Sequence, residues 1–201
     1  MKENDVDRRV KKTKRALCEA LADLMTEKDI QKISIRELAD KADIHRATFY
    51  SHYKDIYDLY EQVENTTFLE LGKIIRIDSL HSYDDIIEDL VDYVYTNSKI
   101  MHMFLNKNAK HRFYTRLSVF LETRYFTLWR KEVGEAKILS DEWTFFVRYH
   151  IQGFLAVLTL WAENDFSFPK EKILDIALKL DIHFDKLLSG NFKEYSNCLK
   201  G

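Results

Sequence analysis

Apolar residues recur at steps of three and four along most of this chain, the period of a helix with one buried face. From about Asp7 to Lys28 the set is Leu17, Ala20, Leu21, Leu24 and Met25. Asp29 to Lys32 breaks that pattern. Ser34-Ile-Arg-Glu37 then reads as a capping box, in which Ser34 accepts from the backbone near Glu37 and Glu37 reaches back. The box opens a helix of about two turns through Leu38 and Ala39, "KADI" is a turn, and a short helix runs from roughly His45 to Tyr53.

Asp55 is a good N-cap, and behind it Ile56, Leu59, Val63, Phe68, Leu71 and Ile75 keep helical spacing in a segment long enough to join two domains. Ser82 to Asp85 resembles a second capping box, opening a helix through Ile86, Leu90, Tyr93 and Val94. Further helices are predicted at about Ile100–Leu105, Lys110–Val133 with Gly134 as C-cap, and Asp141–Glu163. A last one starts at Ser167-Phe-Pro169, with Pro in its first turn, and runs through Ile173, Ile176, Leu180, Phe184 and Leu187 to Gly190. The tail "NFKEYSNCLKG" has too few periodic apolar positions to predict structure.

Composition supports an all-α reading. In 201 residues, 46% of them hydrophobic, there are five Gly and one Pro, too few to punctuate a sheet protein. The two Cys, Cys18 and Cys198, lie at opposite ends without CxxC spacing, which fits a reducing cytoplasm and neither a disulfide framework nor a zinc site. "MKENDVDRR" is no signal peptide, and no apolar run is expected to span a membrane; even "GFLAVLTLWA" is short and bounded by charges. A net charge of −2 argues little for a nucleic-acid binder, but "RRVKKTKR" from Arg8 to Arg15 is a local basic cluster.

The polar stretch "HRATFYSHY", His45 to Tyr53, changes the picture further. As a helix it has two deep anchors, Phe49 and Tyr53, while Arg46, Thr48, Tyr50, Ser51 and His52 spread over the remaining surface. Arg46 is long enough for a bidentate contact with guanine. Thr48, Tyr50 and His52 suit phosphate oxygens, and Ala47 keeps the helix slim. A capped helix, a short turn, a polar second helix and an upstream basic cluster come in the order of a helix-turn-helix domain.

"ISIRELADKADIHRATFYSHY", with its flanks from roughly Val10 to Tyr60, resembles the amino-terminal domain of the TetR/AcrR family of transcriptional regulators. The resemblance implies that Arg36 and Arg46 read bases, that Thr48, Tyr50 and His52 make phosphate or mixed contacts, and that Ser34 and His45 lie near the DNA backbone. It also lays the basic first helix along that backbone. Ala47, Ser51 and Lys54 complete the candidate interface. Asp43 stands where Gly is usual, and Asp tolerates the left-handed conformation of such a turn. Ile56 stands where many members place a phosphate-holding Lys; Lys54 is its possible substitute.

The expected architecture is a helix-turn-helix domain at 1–54, a larger helical effector-binding and dimerisation domain at 55–190 and a tail at 191–201, about nine helices in all. The segment Asp141–Glu163 is apolar on two faces, Phe146/His150/Gly153/Val157/Trp161 and Trp143/Val147/Phe154/Leu158, with Arg148, Gln152, Thr159 and Glu163 as the wet strip. Such a helix needs cover on two sides, so the last two helices (about 141–164 and 169–188) are expected to pair with a second copy. The family resemblance implies the same pairing, a near-palindromic double-stranded operator and an effector, a small molecule or protein; the residues themselves lead to no expected cofactor, metal or membrane partner. Two other classes compete. One is a helix-turn-helix scaffold that acts through a protein partner; the other is an all-α metal or haem enzyme, disfavoured because the seven His form no Glu-x-x-His repeat.

Overall fold

A computed structural model describes residues 2–75, 83–105, 110–133 and 141–188. Among them are nine α-helices and no strand: α1 (Lys2–Glu27), α2 (Ile35–Lys41), α3 (Arg46–Tyr50), α4 (Ile56–Ile74), α5 (Tyr83–Thr96), α6 (Ser98–Leu105), α7 (Lys110–Val133), α8 (Asp141–Glu163) and α9 (Lys170–Leu188). The expected caps at Ser82 and Gly134, and Cys198, lie outside the described residues. These residues fall into two compact units, one within Met1–Gly72 and Asn97–Tyr114, the other within Lys73–Thr96 and Thr115–Gly201.

In the first unit, α1 buries Leu17, Ala20, Leu21, Leu24 and Met25, the periodic set, while residues 7–9 stay exposed at its other end. The helix begins earlier than the expected Asp7, because its first turns carry no apolar stripe by which periodicity could locate them. The break at Asp29–Lys32 holds a 3₁₀ turn over Ile30–Lys32. Ser34 Oγ accepts from Glu37 N–H at 3.2 Å, closing one arm of the capping box. The Glu37 carboxyl is held below the usual carboxylate range by the Lys28 ammonium and, more weakly, by Ser34 N–H. Lys28 and Glu37 form an ion pair that ties the end of α1 to the start of α2.

Beyond the recognition segment, α4 buries Ile56, Leu59, Val63, Phe68 and Leu71 together with Glu64 and Thr67. Phe104 of α6 stacks on Phe113 of α7 with centroids 4.2 Å apart, and Tyr60 and Phe68 of α4 close the cluster at 5.3 and 5.4 Å. Lys99 pairs with Asp23 at 3.2 Å, joining α6 to α1. This aromatic clasp makes α6 part of the core on which the helix-turn-helix stands.

The second unit is built on Ile86, Ile87, Leu90, Val91 and Val94 of α5, Val147, Ile151, Phe154, Leu155, Leu158 and Trp161 of α8, and Ile173 and Ala177 of α9. Trp161 stacks on Tyr95 at 5.8 Å, and its indole N–H donates to Phe168 carbonyl at 2.9 Å, which fixes the turn into α9. Lys170 pairs with Asp92 at 2.7 Å. Pro169 immediately precedes α9 instead of lying in its first turn, and its carbonyl accepts the N–H groups of Lys172 and Ile173.

Two expectations about α8 are corrected. Thr159 is buried, 3% exposed, with no hydrogen-bond partner for its hydroxyl among the described residues, so it does not belong to a wet strip. Arg148 is exposed as expected, but large apolar side chains share that surface: Phe145, Phe146, Tyr149 and Leu160 also point outward. Thr144–Glu163 is also long and apolar enough by composition to cross a membrane, although Arg148 and scattered polar residues break it into shorter apolar runs.

Candidate nucleic-acid interface

The turn between α2 and α3 is made by backbone hydrogen bonds. Ile44 N–H reaches Ala39 carbonyl at 3.0 Å and Asp43 N–H reaches Asp40 carbonyl at 3.3 Å, the two bonds of a Schellman closure. Asp43 occupies its left-handed position with φ 53°, as an Asp in place of Gly can. The chain is thereby turned so that His45 caps α3 in extended conformation, with φ −73° and ψ 144°.

The α-helix itself covers Arg46–Tyr50, shorter than the expected His45–Tyr53. It tightens where His52 N–H bonds Phe49 carbonyl at 2.9 Å, an i→i−3 bond, while Tyr53 N–H shares the same acceptor. Phe49 is fully buried and Tyr53 4% exposed, their rings 5.7 Å apart. These two side chains anchor the helix from below. Burial pushes the Tyr53 phenol up to about 12, so it stays neutral.

Above those anchors, His45, Arg46, Ala47, Tyr50, Ser51 and Lys54 are exposed, and Thr48 and His52 are half-buried. Ser51 spends its hydroxyl proton on Thr48 carbonyl at 2.7 Å, leaving its oxygen as an acceptor. On α2, Ser34 and Arg36 are exposed, and Arg36 lies 3.7 Å from Asp40 in a loose surface pair. Such a pair is worth little and can open toward a ligand. Asp40, Asp43, Ile44, His45, Arg46 and Ala47 line an open hollow of about 550 Å³ at the start of α3. The structure therefore gathers the donors of α3 on one accessible surface and sets a concave edge beside it.

The basic cluster on α1 divides. Lys11 pairs with Asp7 at 2.8 Å and Arg15 with Glu19 at 2.7 Å. Lys14 lies over the Tyr53 ring, 5.9 Å from its centroid. At the start of α4, Asp55 accepts from Asp58 N–H at 2.8 Å, while Asp58 accepts from Lys54 N–H at 2.9 Å and from the Gln62 amide at 3.0 Å. Lys54 N–H is the main cause holding the Asp58 carboxyl below its ordinary value. Ile56 is 6% exposed, so its place in α4 is a core position.

Residues 17–63 match the family of bacterial regulatory proteins of the tetR type, and residues 81–180 match a transcriptional regulator C-terminal region. The HTH-type transcriptional regulator YxbF of Bacillus subtilis (strain 168) is 28% identical over 103 residues, which are 48% of this chain. The match spans 27% of that relative's length. A transcriptional regulator (TerR/AcrR family) from Aquifex aeolicus VF5 superposes with a TM-score of 0.64 at 15% identity, over 87% of this chain and 99% of that one. A TetR transcriptional regulator from Streptococcus agalactiae 2603V gives 0.60 at 22% identity, over 89% and 98%. These likenesses show a shared fold. With both family matches on the one chain, helix-turn-helix first and regulator C-terminal region after it, the protein belongs to the TetR/AcrR family of transcriptional regulators.

Proposed function

We propose that the protein is a dimeric repressor, working in the cytoplasm and not as an enzyme, that occupies a near-palindromic operator and is released by a small-molecule effector. The observation that carries this reading is α3: a five-residue helix anchored by fully buried Phe49 and presenting Arg46, Ala47, Tyr50 and Ser51 outward. So short a helix has no stability of its own. Its existence depends on the core beneath it, and its polar outer surface matches what a major groove offers.

In this reading Arg46 and Arg36 read base edges, Thr48, Tyr50 and His52 grip the backbone, and Ser34, His45 and Lys54 lie beside it. Arg46→Ala is expected to weaken operator binding by about 1–3 kcal/mol and to relax preference at one position per half-site. Fluorescence anisotropy on the operator and its single-base variants reads both effects. An equal loss on every sequence would make Arg46 a phosphate contact.

The second unit supplies the support for dimer and effector. Phe145, Tyr149 and Leu160 of α8 are 76%, 82% and 62% exposed, and Ile176 and Leu180 of α9 also face outward. Gly153, in the same helix, has nothing within 4 Å of a Cβ built on it. An apolar patch of this kind marks an association surface, and a self-complementary one gives a twofold dimer. Two α3 helices then read two half-sites. Within the same unit a cavity of about 340 Å³ is lined by Ile87, Tyr125, His150, Phe154 and Ala177 and opens beside Tyr149, Gly153 and Leu180 of that outward surface, with no carboxylate, Lys or Arg among the described lining residues. It suits an uncharged, mostly apolar effector. An effector that binds one conformation of this unit better than another shifts the DNA-binding population by that difference; α4, whose residues run from the first unit into the second, is the covalent route.

A further inference from the structure

The start of α4 is capped by its own acids in this protein. A helix N-terminus ordinarily attracts anions through its free N–H groups and its dipole. Here the Asp55 carboxylate already takes Asp58 N–H, and the Asp58 carboxylate takes Lys54 N–H. Two negative charges sit where a phosphate would need to approach. Ile56, which holds the position of the family's phosphate-gripping Lys, is 6% exposed and apolar. Two groups remain to grip the backbone at this end of the recognition segment: Lys54, exposed one residue past Tyr53, and the basic cluster of α1.

The α1 cluster supplies Lys14. Lys14 is exposed, and its ammonium lies 5.9 Å from the centroid of Tyr53, the residue on which the recognition segment ends. Tyr53 is a firm support: its ring is 4% exposed, its N–H is bonded to Phe49 carbonyl, and its ring lies against that of Phe49. One turn away on its own helix, Lys14 meets Val10, Lys11, Leu17 and Cys18, none of them an acid. Lys11 and Arg15 differ, each being drawn to an acid one turn away. A cation over an aromatic face keeps its charge available while losing rotamer freedom in advance.

We infer that Lys14, positioned by the Tyr53 ring, makes the DNA phosphate contact beside the end of α3 that the acid-capped start of α4 does not make. This rests on the DNA-binding reading above. Tyr53 is a positioning residue in this scheme, and Lys14 is the group that touches the ligand.

The test is the salt dependence of affinity for a selected operator fragment, measured for Lys14→Met, Lys14→Arg, Tyr53→Phe and Tyr53→Leu. Each phosphate contact contributes about 0.9 to the slope of log affinity against log salt. Lys14→Met keeps the stem and loses the charge, so the slope should fall by about 0.9 per protomer, roughly 1.8 for a dimer on its operator. Lys14→Arg and Tyr53→Phe should keep the wild-type slope, and Tyr53→Leu should lower it as far as Lys14→Met does. If Tyr53→Leu does not fold, the other three variants still decide. An unchanged slope in Lys14→Met overturns the inference, as does a Tyr53→Phe slope as low as that of Lys14→Met. Wild-type binding that ignores salt overturns the DNA-binding reading itself, which separates the two failures.

Discussion

Phe49→Ala is expected to cost about 3–5 kcal/mol and to abolish operator binding, because the side chain is the deepest anchor of α3. Phe49 has no exposed surface, meets Tyr50 edge-on at 5.6 Å and Tyr53 at 5.7 Å, and supplies the carbonyl that both His52 and Tyr53 N–H groups use. Truncation leaves a cavity under a helix only five residues long. That helix has no intrahelical means of surviving the loss. Urea unfolding followed by far-ultraviolet circular dichroism, at fixed protein concentration, reads the stability. Tyr50→Ala is the contrast: the ring is 58% exposed, so stability should change by less than about 0.5 kcal/mol. A Phe49→Ala protein that unfolds at the wild-type urea concentration would show that α3 is held by other means.

The second large effect concerns the apolar surface of α8. Tyr149→Asp combined with Leu160→Asp should convert a dimer into monomers at micromolar concentration. Both side chains are exposed in the single chain, 82% and 62%, so the protomer loses little core and should stay folded. In a twofold interface each substitution occurs twice, and each buried unpaired carboxylate costs several kcal/mol. Operator affinity should then drop by about 10²–10⁴, the gain that linking two half-site readers provides. Sedimentation equilibrium gives the mass and anisotropy the affinity. A double variant that remains dimeric would place the interface on another surface.

How much of this was legible beforehand differs by element. The buried sets of α1 and α4 follow from spacing alone, since Leu17, Leu21 and Leu24, and Leu59, Val63 and Leu71, each recur within one narrow stripe. The Ser34 cap and the Asp43 turn were also readable, because each depends on the chemistry of one or two residues at a fixed offset. The end of α3 was not. Whether Phe49 carbonyl takes the N–H of His52 or of Tyr53 is a small local choice that no periodicity encodes, and here it takes both.

Thr159 illustrates a different limit. On a helix apolar over two faces, a hydroxyl residue does not reveal which side it occupies, and only the packing against the rest of the second unit puts it inside. The candidate site shows the same division. The residues of "HRATFYSHY" are visible as a polar set in one dimension, but ranking the α1 cations requires knowing that Tyr53 comes to lie beneath Lys14. Likewise, the acids at the start of α4 read as ordinary caps in the sequence, and only the structure shows that Asp58 takes Lys54 N–H from the end of the recognition segment while Asp55 takes Asp58 N–H.

The central claim is that α3 reads sequence on duplex DNA as one half of a symmetric pair. The most direct measurement is selection of genomic fragments by the purified protein, followed by salt titration on the best-retained fragment. A near-palindromic site is expected, with half-sites about one helical turn apart or a multiple of it, bound with an affinity that falls steeply as salt rises. Recovery of no common palindromic element, or an affinity that salt leaves unchanged, would contradict it.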